Sequence, residues 1–359
     1  MEMNQEGFFY PRVQANLCSG CGLCAKRCPA LSSDTESRRH LPDYGYAGGH
    51  REARVRLKSA SGGAFSALVA AANVDVVYGA VWLTADCVGH QRVSPHDIAP
   101  LRTSKYIQSR IGNVYPCVKQ DLESGCSVLF SGTPCQIAGL FAYLGSPSPN
   151  LTTVEIICHG VGSPGLFKQY VKELGERERS PVTSYVFRRK SAILGNWETF
   201  HSEIRYQNGK VHCTYWEPFT RLFLSKCILR PCCEACRYSG QDNHVADIIL
   251  GDYWGCSVNN PALYHKLGVS AIIPLTSKGQ TLLRHAEADL DIQRIPLNYI
   301  TQRNQVLLQH AKHPEKRAIF FRVFEEEGLE VAIRKVCPRA TWKSRLQPYL
   351  RLFWKQCKG

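Results

Sequence analysis

Cys18, Cys21, Cys24, Cys28 and Pro29 constrain this chain more than any other feature. Their CxxCxxCxxxCP spacing is a ligand run for a 4Fe–4S cluster, in which closely spaced thiolates reach the separate irons of a cubane. Gly20 and Gly22 leave the backbone free to aim N–H groups at the sulfurs, and Pro29 turns the chain away. In two-cluster proteins the fourth cysteine of such a run serves the neighbouring cluster, so a second cysteine set is expected. Cys227, Cys232, Cys233 and Cys236 supply one far along the chain. The expected metal ligands are therefore Cys18, Cys21, Cys24, Cys28, Cys227, Cys233 and Cys236, with Cys232 the candidate eighth. Zinc prefers paired CxxC knuckles, and disulfide frameworks belong to small secreted chains, so neither suits this pattern. Cys87, Cys117, Cys126 and Cys213 stand in apolar or isolated contexts and are expected as reduced core residues.

With 359 residues, 44% of them hydrophobic, the chain has room for about two domains and a large core. No apolar run approaches the ~20 residues that span a bilayer. The thiolate load fits a reducing cytoplasm. Net charge is +14, and eight of the basic residues lie between 331 and 359, where there is no acid. That aromatic and basic tail is expected to be a helix packing its Leu, Phe and Trp side on the body; contact with a membrane surface or partner is the alternative. Charge alone does not argue for nucleic acid, because no helix-turn-helix, zinc-finger or RNA-binding signature accompanies it.

The pattern along the chain is α/β. Residues 32 to 56 are polar with few apolar anchors and read as a linker, with a domain boundary near Gly48. A glycine-opened helix at 64 to 70 is followed by strands at 74 to 83 and 87 to 93. Beyond these come a helix at 111 to 124, a strand at 127 to 130, a helix at 135 to 144, a strand at 153 to 157 and a helix at 164 to 178. Strands near 182 to 188, 200 to 206 and 210 to 215 make a β-rich part, with Asn208-Gly209 as a hairpin turn. Strands at 245 to 251 and 269 to 275 follow, and the remainder from Gly279 reads as mostly helical.

Ser61, Gly62 and Gly63 open a helix with a hydroxyl and bare N–H groups, which suits either a cofactor phosphate or a plain N-cap. Beside iron–sulfur clusters a flavin is the usual converter between single electrons and electron pairs, which favours the phosphate. Thr133 reads as an N-cap, Pro134 as the first turn, and Cys135 as a thiol near a helix start, where the dipole favours the thiolate. Cys135 is thus an acid, a nucleophile, a further ligand or simply a small capping residue. His159, in Cys158-His159-Gly160, follows a strand at the end where open α/β sheets bind ligands; it suits a proton or hydrogen-bond donor, or a structural role. Lys105, in Thr103-Ser104-Lys105-Tyr106, offers a cation to an anionic substrate or phosphate.

Together these motifs resemble the coenzyme F(420) hydrogenase/dehydrogenase beta subunit family of iron–sulfur flavoproteins. The resemblance runs through the N-terminal cysteine run, Ser61-Gly62-Gly63, Ser104-Lys105-Tyr106, residues 130 to 140, Cys158-His159-Gly160, Leu229-Arg230-Pro231, Cys233 and Cys236, Asp247-Ile248 and Gly251 to Gly255. It implies FAD, one or two 4Fe–4S clusters, and transfer of a hydride or electron pair to a substrate such as a deazaflavin. It puts catalytic roles on Cys135, His159 and Lys105, and flavin contacts on Ser61, Gly62, Gly63, Thr133 and Gln136. Arg189 stands where many relatives have aspartate, and Cys232 where serine usually precedes the cysteine pair. The expected organisation is a ferredoxin-like module at 1 to 45, an α/β domain at 46 to 145, a flavin and substrate domain at 146 to 330, and the tail from 331. The expected activity is a cytoplasmic oxidoreductase linking a ferredoxin-like or deazaflavin donor to a small organic acceptor. An electron-transfer subunit of a larger complex, without its own substrate site and tied to a surface-polysaccharide pathway, is the alternative.

Overall fold

Short apolar segments alternating with amphipathic helices build a mixed sheet covered on both faces. The computed structural model describes residues 1–31, 38–191, 197–312 and 314–337; the basic tail expected to pack as a helix lies almost wholly outside them. The strands are β1 (Glu2–Met3), β2 (Phe9–Tyr10), β3 (Tyr44–His50), β4 (Val76–Thr84), β5 (Cys87–Val93), β6 (Val128–Gly132) and β7 (Leu151–Ile156). They continue with β8 (Val182–Val186), β9 (His201–Tyr206), β10 (Val211–Tyr215), β11 (Ile248–Asp252), β12 (Ser270–Pro274) and β13 (Leu290–Pro296).

Eight of them form one sheet in the order β13-β3-β12-β11-β7-β6-β4-β5. Its centre is parallel: β4 pairs with β6, β6 with β7 and β7 with β11, while β5, β12, β3 and β13 join antiparallel. Because side chains alternate across a strand, Val77, Leu129, Val154, Ile248, Leu250 and Ile272 share one face, against helices Ala64–Ala72 and Ser277–Ala286. Val76, Tyr78, Val128 and Phe130 share the other, against helices Val114–Glu123 and Pro134–Leu144. Strands buried on both sides read as continuous apolar runs, which is why the central ones were legible. A second core packs β8 and β9 of a three-stranded sheet with helices Pro164–Glu178, Pro218–Leu224, Lys316–Glu327 and Leu329–Val336.

Two strands depart from the sequence reading. The stretch read as a linker contains β3, which lies between β12 and β13, and Gly48 is paired within it. Tyr-Gly-Tyr-Ala-Gly-Gly-His hides its strand character because three glycines replace β-formers. Two of those glycines are required by crowding. A Cβ on Gly48 would stand 2.0 Å from Asp291 O, and one on Gly49 2.7 Å from Gly62 O. The other departure is β13, an edge strand of Leu-Asp-Ile-Gln-Arg-Ile-Pro inside the region read as mostly helical, which is otherwise so among the described residues. The four cysteines expected in the core are elsewhere: Cys117 and Cys213 are exposed, and Cys87 and Cys126 half-buried. Among the described residues no helix is long and apolar enough to cross a membrane.

Candidate functional site

The carboxyl ends of β6, β7 and β11 deliver Thr133 to Gln136, Cys158 to Gly160, and Asp252 to one region, the end of the strands where open α/β sheets hold ligands. The loop after β7 gathers the remaining motifs. Gly162 N–H donates to Tyr106 O at 3.2 Å and Gln108 N–H donates to Gly162 O at 3.0 Å, while Arg230 N–H donates to Val161 O at 2.9 Å. Segments distant in sequence, carrying Lys105, His159 and the Cys232–Cys236 turn, are thereby stitched side by side.

Five cysteines meet here. Cys158 feels the charges of Cys135 and Cys236, Cys135 that of Cys232, and Cys233 that of Cys158. Desolvation leads the environment of three of these thiols: it raises Cys135, raises Cys158 and pushes Cys236 up to about 11. For Cys135 this reverses the lowered value expected from the helix dipole. The residue touches solvent, yet protein closes round its thiol, and Thr133 Oγ1 at 3.2 Å offsets the burial in part. Cys232 is held down to about 6 by a hydrogen bond from Cys233, whose own thiol is raised in return. Among the described residues no group of three or more His, Cys, Asp or Glu side chains is gathered tightly enough to hold a metal ion. A cubane takes each thiolate at a different iron, so its ligands do not converge on one point, and the donor chemistry of Cys135, Cys158, Cys233 and Cys236 fits that group.

Cys227 stands apart from this set. It is wholly buried in the second core, and the groups acting on it are Ser225, Cys337, Lys316 and Arg317. Cys18, Cys21 and Cys24 are exposed and Cys28 half-buried, on a loop whose Gly20 and Gly22 take φ +73° and +67°. Backbone N–H of Leu23 and the Ser19 hydroxyl lower the Cys21 thiol, an arrangement that favours a thiolate ligand. The loop is tied to the second cysteine set just past Cys28: Tyr238 OH donates to Pro29 O at 3.1 Å and Arg237 Nη1 to Ala30 O at 2.7 Å. Tyr238 in turn feels Cys135 and Cys236.

Thr133 and Gln136 form a capping box, with Thr133 N–H donating to Gln136 Oε1 at 3.0 Å, so their polar groups serve the helix start. Gly62 and Gly63 are accounted for by packing. A Cβ on Gly62 would stand 2.5 Å from Gly48 O and 2.7 Å from Ser270 N; Gly63 takes φ +88° with the His50 side chain 3.2 Å from its Cβ position. Both glycines are thus held against the chain's own atoms on the side where a Cβ would stand. Ser61 Oγ donates to Val269 O at 2.9 Å. The Lys190 ammonium closes this loop down, donating to Arg56 O at 2.8 Å, to Leu267 O at 2.5 Å and to Ser61 O. Burial lowers Lys190 to about 7. Lys105 is also lowered to about 7 by burial, and Nζ donates to Pro100 O and Thr103 O, both at 3.0 Å.

His159 is lowered by burial, opposed by the charge of Asp252. Asp252 Oδ2 accepts from Arg188 Nη1 at 2.6 Å. Arg188 lies 5.3 and 5.1 Å from the ring centres of Phe200 and Trp254. Sequence reading gave Arg188, Asp252, Cys158, Asn304 and Tyr238 no role. Asp252, Trp254 and Cys158 fell within noted motifs, but only the convergence of strand ends reveals what they face; Asn304 carried no local signal.

No curated protein matches this chain. Among solved structures, a xenon-derivatised F(420)-reducing NiFe hydrogenase complex from Methanosarcina barkeri has a similar chain: TM-score 0.49, 17% identity, covering 76% of this chain and 89% of that one. The family model for the C-terminal part of the coenzyme F(420) hydrogenase/dehydrogenase beta subunit matches residues 126–298, the segment that carries β6, β7, β11 and all five converging cysteines. Residues 126–298 of this chain are thus similar to the C-terminal part of the coenzyme F(420) hydrogenase/dehydrogenase beta subunit.

Proposed function

We propose that the protein is an iron–sulfur flavoprotein oxidoreductase that moves electrons between a ferredoxin-like or deazaflavin donor and a small organic acceptor. The observation that carries this reading is the meeting of Cys135, Cys158, Cys232, Cys233 and Cys236 at the carboxyl end of the sheet, beside an N-terminal cysteine run tied down by Arg237 and Tyr238. Bound there, 4Fe–4S clusters supply single electrons and a flavin pairs them. Cys18, Cys21, Cys24 and Cys28 hold the outer cluster. Cys135, Cys158, Cys233 and Cys236 hold the inner one, with Cys232 able to replace Cys233. Cys135 is thus a ligand in this reading, and Cys227 is a core residue. The buried Arg188–Asp252 pair orders the neighbouring reaction site, and His159 between Asp252 and Cys158 is its proton donor. The organisation proposed is a docked cluster module followed by a body that shares one sheet.

The test is iron content after anaerobic purification. The wild-type chain should carry about eight irons, Cys158→Ala about four, and Cys227→Ala about eight. Full iron in Cys158→Ala, or its loss in Cys227→Ala, would overturn the ligand assignment.

A further inference from the structure

Glu155 is an acid in the middle of the central sheet. On β7 it pairs with Gly132 of β6 on one side and Ile249 of β11 on the other, and it is 1% exposed. Its partner is His244, also buried: Nδ1 lies 2.7 Å from Glu155 Oε1, and Nε2 lies 3.2 Å from Leu307 O. Val245 N–H donates to Glu155 Oε2 at 3.3 Å. Two apolar side chains of the same volume are often as stable in such a position as a buried ionisable pair, so packing alone does not account for this one.

The hydrogen bonds fix how many protons the pair holds. A carbonyl only accepts, so Nε2 carries one. A second lies between Nδ1 and Oε1, because without it two lone pairs would face each other across 2.7 Å. With that shared proton the pair is neutral as a unit; without it the pair carries one negative charge. The charge would face the inner cysteines. Burial raises the Cys158 and Cys236 thiols first, and the Glu155 carboxylate, three residues before Cys158, raises both further. The other charged groups nearby are engaged. Arg39 meets His244 through its backbone, with its N–H donating to His244 O at 2.6 Å, and Arg38 is held by Asn243 and His40 by Asp242. Asp247 is held by Thr153 and Thr276, and Asp252 by Arg188.

We propose that Glu155 and His244 form a proton store coupled to the charge at the inner cysteines, and that both are positioning residues for electron transfer through them. The proposal rests on the cluster reading above. An electron from the donor adds one negative charge at the group held by Cys135, Cys158, Cys233 and Cys236, and the pair takes one proton from water to regain its shared proton. When the electron leaves for the acceptor, the pair returns that proton to water. Local net charge is one of the levers on an iron–sulfur potential, so the proton and the electron favour each other. The sign follows: where the pair has lost its proton beside the oxidised group, reduction requires proton uptake, and the potential falls as pH rises.

The test is the midpoint potential of the inner cluster, the EPR signal lost in Cys158→Ala, followed from about pH 6 to about pH 10 in the full-length protein purified anaerobically. The wild-type potential should fall with rising pH, at a slope approaching one proton per electron over part of that range. Glu155→Gln donates an amide N–H to Nδ1 and leaves Nε2 on Leu307 O, yet has no proton to lose; its potential should be independent of pH at unchanged iron content. A pair that only ties the loop before Val245 to β7 would give the wild-type protein no such slope. A wild-type potential that ignores pH, or a slope that survives in Glu155→Gln, overturns the proposal, and the wild-type measurement needs no variant to fold. Iron on the same samples keeps the two readings apart: inner-cluster iron with a flat potential sinks the proton store alone, whereas absence of that iron sinks the cluster assignment and the store with it.

Discussion

His90, on β5, lies flat against Phe130 at 5.5 Å, with Nε2 against Ser131 O at 3.1 Å and Nδ1 against Ser109 Oγ at 2.8 Å. A carbonyl only accepts, so Nε2 carries the proton and Nδ1 takes one from the serine, which fixes the neutral tautomer. Burial lowers this ring from 6.5 to about 4. Between those values the unfolded chain binds the proton that the folded chain refuses, so stability falls as pH drops through the window and is fully present above it. In urea unfolding the wild-type protein should lose about 3 kcal/mol more between pH 6.5 and 4 than His90→Gln does. Parallel losses in the two proteins would show that His90 does not set the acid limit. A histidine in an apolar strand gave no sign in the sequence that it would be locked neutral.

At the scale of elements, β3 shows how packing overrides propensity. Its Gly48 faces the backbone of β13, with Asp291 O and Ile292 Cα at 2.0 and 2.7 Å from a Cβ position, and backbone cannot move aside as a flexible side chain can. Gly48→Val should therefore destabilise by about 3 kcal/mol or more, at the upper end of overpacking, and should loosen β13 first. A stability unchanged within error would mean that β3 and β13 separate without cost. The same crowding explains what the sequence showed and what it hid. Thr133-Pro134 announced a helix start because caps are local chemistry, and the structure has it. The central strands announced themselves by apolar runs. Tyr44 to His50 did not, since Gly48 answers to a strand about 240 residues away and Gly49 to the Gly62 turn, neither of which shows in the local pattern. For the same reason Cys227 looked like a partner of Cys233 by spacing, whereas the company Cys158 keeps was set by the Val161–Gly162 loop, which pairs on both sides with distant segments.

Across the whole molecule, the N-terminal residues are held to the body by a few polar ties. Arg317 pairs with Glu6 at 2.6 Å, Arg27 Nη1 donates to Ala142 O at 3.0 Å, and Arg237 and Tyr238 hold Ala30 and Pro29. Replacing both Arg237→Ala and Tyr238→Phe removes two ties next to Cys28. Amides of residues 18 to 30 should then exchange at least about ten-fold faster, with β6 and β7 unchanged, because local opening is governed by local contacts. Exchange that rises equally in β6 would show instead that the loop and the sheet open as one unit. The position of β3 has a further consequence, for how the chain is made. His50 pairs with Leu290, about 240 residues later, and at ~5–20 residues per second a ribosome needs on the order of ten to fifty seconds to deliver that partner. Throughout that interval both edges of an early glycine-rich segment wait in the growing chain, exposed to chaperones and to neighbouring nascent chains alike.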